Sequence, residues 1–203
     1  MSRPTTAEGL LDEYGRTYAE EAGIRLRNTP SPLYRLLTLC VLLSVRIKAG
    51  IAVAAARELS AAGMRTPRAM AGASWQDRVD ALGRAHYRRY DESTATALGD
   101  GAQFVIDRYR GDLRRLREEA AGDPERIRGL LREFPRIGPV GADIFSREAQ
   151  GVWPELRPAF DRRARDAAAG LGLPETPEGL ARLVEAEDLP RLAAALVRVG
   201  LAN

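Results

Sequence analysis

Phe134-Pro135-Arg136-Ile137-Gly138-Pro139-Val140-Gly141 packs two prolines and two glycines between two short helical patterns. Neither helix can continue through such a segment, so helix, tight hairpin and second helix are expected. A hairpin of this kind turns the amides at the start of the second helix outward. Free N–H groups and the helix dipole there suit a phosphate oxygen, whatever the base sequence. An ordinary corner between two helices is the alternative reading of the same residues. Twenty residues beyond Gly141 stands Asp161, in Pro158-Ala159-Phe160-Asp161-Arg162-Arg163. Its carboxylate is anionic at neutral pH, and its spacing to the following amides also fits the N-cap of a helix over Arg162–Gly170. Arg162, Arg163 and Arg165 can fix phosphates or form a solvated helix face.

Other chemistries are limited by residue counts. Cys40 is the single cysteine of 203 residues and lies within the apolar run Leu36–Val45, so disulfides and four-cysteine clusters are excluded. With His86 as the one histidine, a zinc site of imidazole or thiolate ligands is not expected, and no metal site is assigned. Lys48 is the lone lysine among 31 basic residues, and the net charge of +3 is compatible with a polyanionic partner without requiring one. The apolar run is about half of the ~20 residues needed to span a bilayer, so it reads as a buried helix and no membrane partner is expected. The first ten residues, MSRPTTAEGL, carry no apolar core of a secretory signal, so the expected location is cytoplasmic.

The elements that must position these groups read as helices throughout. Alanine, leucine, arginine and glutamate dominate, with no sustained period-two alternation of β-branched residues. Start signals recur: Thr5-Thr6-Ala7-Glu8 fits a capping box, Ser74-Trp75-Gln76-Asp77 fits a capped start, and Thr66-Pro67, Asp123-Pro124 and Thr176-Pro177 pair a cap with proline. Helices are expected over Leu33–Val45, Ala49–Ala62, Glu92–Tyr109 and Ala142–Gln150. At 203 residues the chain can form one domain or two closely packed lobes.

The hairpin segment together with the downstream aspartate resembles the helix–hairpin–helix DNA glycosylase superfamily, of the endonuclease III-like kind. Leu36–Arg46 is similar to that family's buried early helix, and Gly83 through Tyr90-Asp91 to Ala97 is similar to the pattern before its central helix. The resemblance covers roughly residues 32–170. It implies an all-α fold of two helical lobes with an interlobe cleft, residues 33–152 carrying the hairpin and residues 1–32 with 153–203 forming the other lobe. It implies double-stranded DNA as partner and a monomer. Asp161 becomes the catalytic carboxylate, stabilising positive charge on the sugar as the glycosidic bond breaks and orienting the attacking water. Ile137, Gly138, Val140 and Gly141 become the phosphate-binding hairpin, with Arg46, Arg162 and Arg163 as further DNA contacts.

Departures from the pattern narrow the expected activity. Members that cleave the strand carry a lysine where this chain has Val140, which cannot form an imine, so lyase chemistry by that route is not expected. Arg136 replaces the first hairpin glycine, straining the backbone if a positive φ is needed there, or else adding a phosphate contact. Val41 stands near the position of the glutamate used on adenine, and the C-terminal iron–sulfur loop is missing, so no cofactor is expected beyond a monovalent cation that the hairpin backbone has room to hold. A monofunctional glycosylase suits bases that already leave well, such as cationic alkylated purines. Trp75, Trp153, Tyr87, Tyr90 and Tyr34 are candidates to stack on them, or else core. A non-catalytic or specialised DNA-binding relative and a helical interaction protein stand as the competing functions.

Overall fold

The computed structural model describes residues 6–202, and among them every regular element is helical. In chain order the helices are α1 (Ala7–Tyr14), α2 (Tyr18–Glu21), α3 (Pro30–Leu43), α4 (Ala49–Ala61), α5 (Pro67–Gly72), α6 (Trp75–Arg84) and α7 (Asp91–Tyr109). They continue as α8 (Arg114–Glu119), α9 (Pro124–Leu131), α10 (Pro139–Ala149), α11 (Arg162–Gly170), α12 (Pro177–Ala181) and α13 (Leu189–Ala202). The expected all-α class is what the chain adopts.

Most starts are capped as the sequence reading requires. Ser74 and Asp77 form a reciprocal box at α6, while Thr66, Asp123 and Thr176 each accept an amide hydrogen bond ahead of a proline. At α1 the cap is Thr6, which accepts from the Gly9 amide. Thr5 lies outside the described residues. Two boundaries differ from expectation in ways that matter for the site. Helix α3 stops at Leu43, so Arg46 sits in the turn beyond it rather than on its last turn. Helix α10 begins at Pro139, three residues before the expected start, because proline fits the first helical position and Gly138 supplies an extended N-cap.

Helix α3 is buried at nine of the ten positions from Leu33 to Leu42, all but Arg35, and α4, α7 and α10 pack around it. Helices α1 and α11 pack on α13 at the other side, and α10 also touches α13. One continuous apolar core links these groups, from Leu10 through Phe145 to Val197. A cleft of about 1540 Å³ opens between them. No helix among the described residues is long and apolar enough to cross a membrane.

Candidate active site and nucleic-acid interface

The hairpin is held from below by its own apolar residues. Phe134 packs edge-on against Phe104 at 4.8 Å and stacks with Tyr109 at 5.9 Å, tying the turn to α7. Ile137 is 3% exposed, and its amide donates to the Phe134 carbonyl. Ile137 therefore anchors the turn from inside. Its side chain and its N–H are both engaged within the protein.

The upper face of the turn is open. Gly138 caps α10 with no side-chain hydrogen bond, and the amides of Gly138, Val140 and Gly141 have no partner among the described residues. Nothing lies within 4 Å of the place a Gly138 Cβ would occupy, which leaves room for a bulky oxyanion. Three unpaired donors at the positive end of an eleven-residue helix form an anion-binding geometry. Gly141 serves a different need, since a Cβ there would meet Ser44 Oγ at 2.7 Å and Ile137 at 3.2 Å, so it permits the close approach of α3 and α10. Arg136 adopts φ +64°, the left-handed conformation, with its side chain exposed. That costs a non-glycine residue on the order of 1 kcal/mol.

Asp161 is brought to the cleft by a pinned connection. Buried Gln150 donates to the Arg147 and Ala159 carbonyls and accepts from the Ala159 amide, holding the segment that leads into α11. Asp161 then caps α11 through Oδ1, which accepts from the Ala164 amide at 2.9 Å. Its other oxygen, Oδ2, accepts from Arg147 Nη1 at 2.5 Å. Both carboxylate oxygens are thus engaged. Arg147 lies in the interior with Glu148, whose carboxylate accepts from the Tyr18 and Ala19 amides at the start of α2. Burial pushes the Glu148 carboxyl above its ordinary value.

Four residues of α10, Val140, Asp143, Ile144 and Arg147, line the cleft. Their i, i+3, i+4, i+7 spacing is that of one helix face, a signal legible in the sequence once α10 is started at Pro139. Asp143 was not singled out there. Its carboxyl is raised above the usual range, first by burial and then by the nearby Asp161 charge, with Arg128 and Arg147 opposing. Val140 is 61% exposed, so the cleft wall at this point is an open apolar surface.

The structure gathers most of the expected cations and disperses the expected aromatics. Arg46, Lys48, Arg162 and Arg163 all line the cleft with Asp161, whereas Arg165 does not. Trp153, Tyr87 and Tyr34 are core residues; Trp153 is fully buried and donates to Asn28, and the Tyr87 hydroxyl reaches the Leu42 carbonyl. Trp75 is exposed but bonded to Thr96, and neither it nor Tyr90 lines the cleft. The aromatic rings that do are Tyr14 and Tyr18, which the sequence reading did not select. Tyr18 is flanked by the Arg147 and Arg198 guanidinium groups at 5.5 and 4.3 Å, so its ring already faces two internal cations. Tyr14 is the half-buried one with an accessible surface. Among the described residues no three His, Cys, Asp or Glu side chains are grouped to hold a metal, and buried Cys40 alone does not fit an iron–sulfur cluster.

Two solved structures are similar over nearly the whole chain. One is a trapped endonuclease III–DNA covalent intermediate in an estranged-adenine complex, with 17% identity and a TM-score of 0.53 over 97% of this chain and 85% of that one. The other is a non-covalent endonuclease III–DNA complex, with 18% identity and a TM-score of 0.54 over 95% of this chain and 85% of that one. The chain therefore has the endonuclease III fold. No family model matches the sequence, and no curated protein matches it.

Proposed function

We propose that this protein binds double-stranded DNA as a monomer and removes a damaged base by hydrolysing its N-glycosidic bond. The observation that carries the reading is the meeting of two features at one cleft. Unpaired amides open the N-terminus of α10, and Asp161 lines the same cleft as Val140 of that first turn. The amides and Arg136 would hold a phosphate, Arg162 and Arg163 would meet the backbone further along, and Arg46 would occupy the gap left by an extruded base.

Within the cleft Asp161 is the anionic group aimed at the sugar. Its cap to Ala164 and its pair with Arg147 fix its orientation, so no reorganisation is needed as positive charge develops. Arg147 neutralises part of the Asp161 negative charge and so moderates that stabilisation. A site so moderated suits bases that leave readily, and alkylated purines, already cationic, are the substrate class proposed. Tyr14 offers them an aromatic face. Val140 carries no amine, so base loss at α10 proceeds with water as nucleophile.

The experiment is release of free base from a methylated duplex. Asp161→Asn, which retains a capping side chain, is expected to abolish release while binding to the duplex persists. The Arg147–Asp161 pair favours one second reading, a DNA-binding relative whose carboxylate serves structure alone. Salt-dependent duplex binding with no release on a panel of lesions is the outcome expected of it.

A further inference from the structure

Both oxygens of Asp161 are already engaged, Oδ1 by the Ala164 amide and Oδ2 by Arg147 Nη1. That geometry holds its charge in place but makes it a poor acceptor for a proton, because protonation would break its pair with a guanidinium. Water that attacks C1′ must nevertheless lose a proton. Among the described residues the cleft offers two other carboxylates. Asp166 has a side chain 69% exposed and is paired with Arg162 at 3.6 Å. Asp143 stands one helical turn before Arg147 on the α10 face that lines the cleft, so the arginine that grips Asp161 has a second carboxylate beside it. Asp143 accepts no hydrogen bond among the described residues. Its ion-pair neighbour, Arg128, is 3.9 Å away and is itself bonded to Glu125.

We propose that Asp143 is the proton acceptor for the attacking water, leaving Asp161 to stabilise the sugar cation. This deepens the function proposed above and rests on it. As the C1′–N bond breaks, its electron pair leaves with the cationic base, which departs neutral. The water oxygen bonds to C1′, and one of its protons passes to an Asp143 oxygen, which later gives it to solvent. The half-exposed side chain of Asp143 suits this exchange, since it meets both the cleft and bulk water. Its surroundings also favour a base. Burial first, and then the Asp161 charge, make it hold a proton more tightly than the ordinary value of 3.8, and Glu125 on α9 adds to the effect. Arg128 on α9 and Arg147 on α10 oppose this without cancelling it. Arg46, Lys48, Arg162 and Arg163 line the same cleft and favour the carboxylate once it is ionised.

The test is single-turnover release of free base from a methylated duplex, followed from acid to neutral pH with the whole protein. The wild-type rate should fall as pH is lowered through the raised Asp143 value, where the carboxylate takes up its proton. Asp143→Asn should slow release by about 100-fold, the scale of a lost general base, with that acid limb gone. Its affinity for the duplex should stay within about threefold of wild type. Asp143→Ala should regain about tenfold in added formate, a small carboxylate that enters the space left by the side chain. Variants as fast as wild type overturn the proposal. So does an Asp143→Asn rate that keeps the acid limb, or a slow Asp143→Ala that ignores formate, the behaviour of a merely structural residue. Wild-type protein that binds the duplex and releases no base instead overturns the function on which the proposal rests.

Discussion

Arg147 Nη1 lies 2.5 Å from Asp161 Oδ2, and the two side chains are 4% and 11% exposed. The pair joins α10 to the start of α11 and, through Glu148, to the start of α2. Removing one partner leaves a buried charge unmatched, which costs about 3–5 kcal/mol. Arg147→Met and Asp161→Asn should each lower the denaturant midpoint. Their combination should be less damaging than the sum, with a coupling above about 1 kcal/mol. Strict additivity would show that the contact is energetically idle.

The hairpin glycines should separate stability from DNA affinity. Gly141→Ala drives a methyl into Ser44 Oγ, which is itself bonded to the Cys40 carbonyl, and should destabilise by about 1–3 kcal/mol. Gly138→Ala meets no protein atom and should cost about 0.5 kcal/mol or less, while its methyl obstructs an incoming phosphate and weakens duplex binding. Thermal melts and binding isotherms on the two variants test the contrast.

Arg136 carries a similar prediction of opposite sign. Arg136→Gly relieves the φ +64° strain, partly offset by a more flexible unfolded chain, so stability should hold or rise by up to about 1 kcal/mol. Duplex affinity should fall, and the slope of log affinity against log salt should shrink by about one phosphate contact. An unchanged salt slope would place the guanidinium away from the DNA.

Glu148 gives a pH signature. Its folded carboxyl holds a proton more tightly than the unfolded one, whose ordinary value is 4.5, because burial opposes its charge. Its contribution to stability is therefore fully present below pH 4.5 and is lost as pH rises through the raised folded value. Glu148→Gln removes that loss. The stability difference between variant and wild type should shift toward the variant as pH rises above 4.5, measured by urea titration at several pH values.

The cleft aromatics and the core aromatics should also divide. Trp153→Ala removes a fully buried ring packed on Phe145 at 5.4 Å and should cost about 3–5 kcal/mol. Tyr14→Ala should leave the melt within about 1 kcal/mol and reduce release of an alkylated base by about fivefold.

The sequence by itself determined most of the helices, though not the short α2 and α8, together with the hairpin and the N-cap at Asp161, because caps, prolines and glycines act through their own backbone within a few residues. Val140 and the absence of a cysteine cluster are likewise plain from composition and spacing. Pro139 and Val140 read as turn in the sequence, yet proline is stable at a first helical position and α10 starts there. Only the tertiary structure decided which long side chains meet. Arg147 sits among 30 arginines with nothing local to mark it, and it finds Asp161 only because Gln150 pins the intervening connection. Tyr14 and Lys48 reach the cleft because α1 packs on α13 and α4 packs on α3, contacts made across long stretches of chain. Ile137 turned inward for the same reason: at a sharp turn, the space available beneath it, rather than its neighbours in sequence, fixes which way an apolar side chain points.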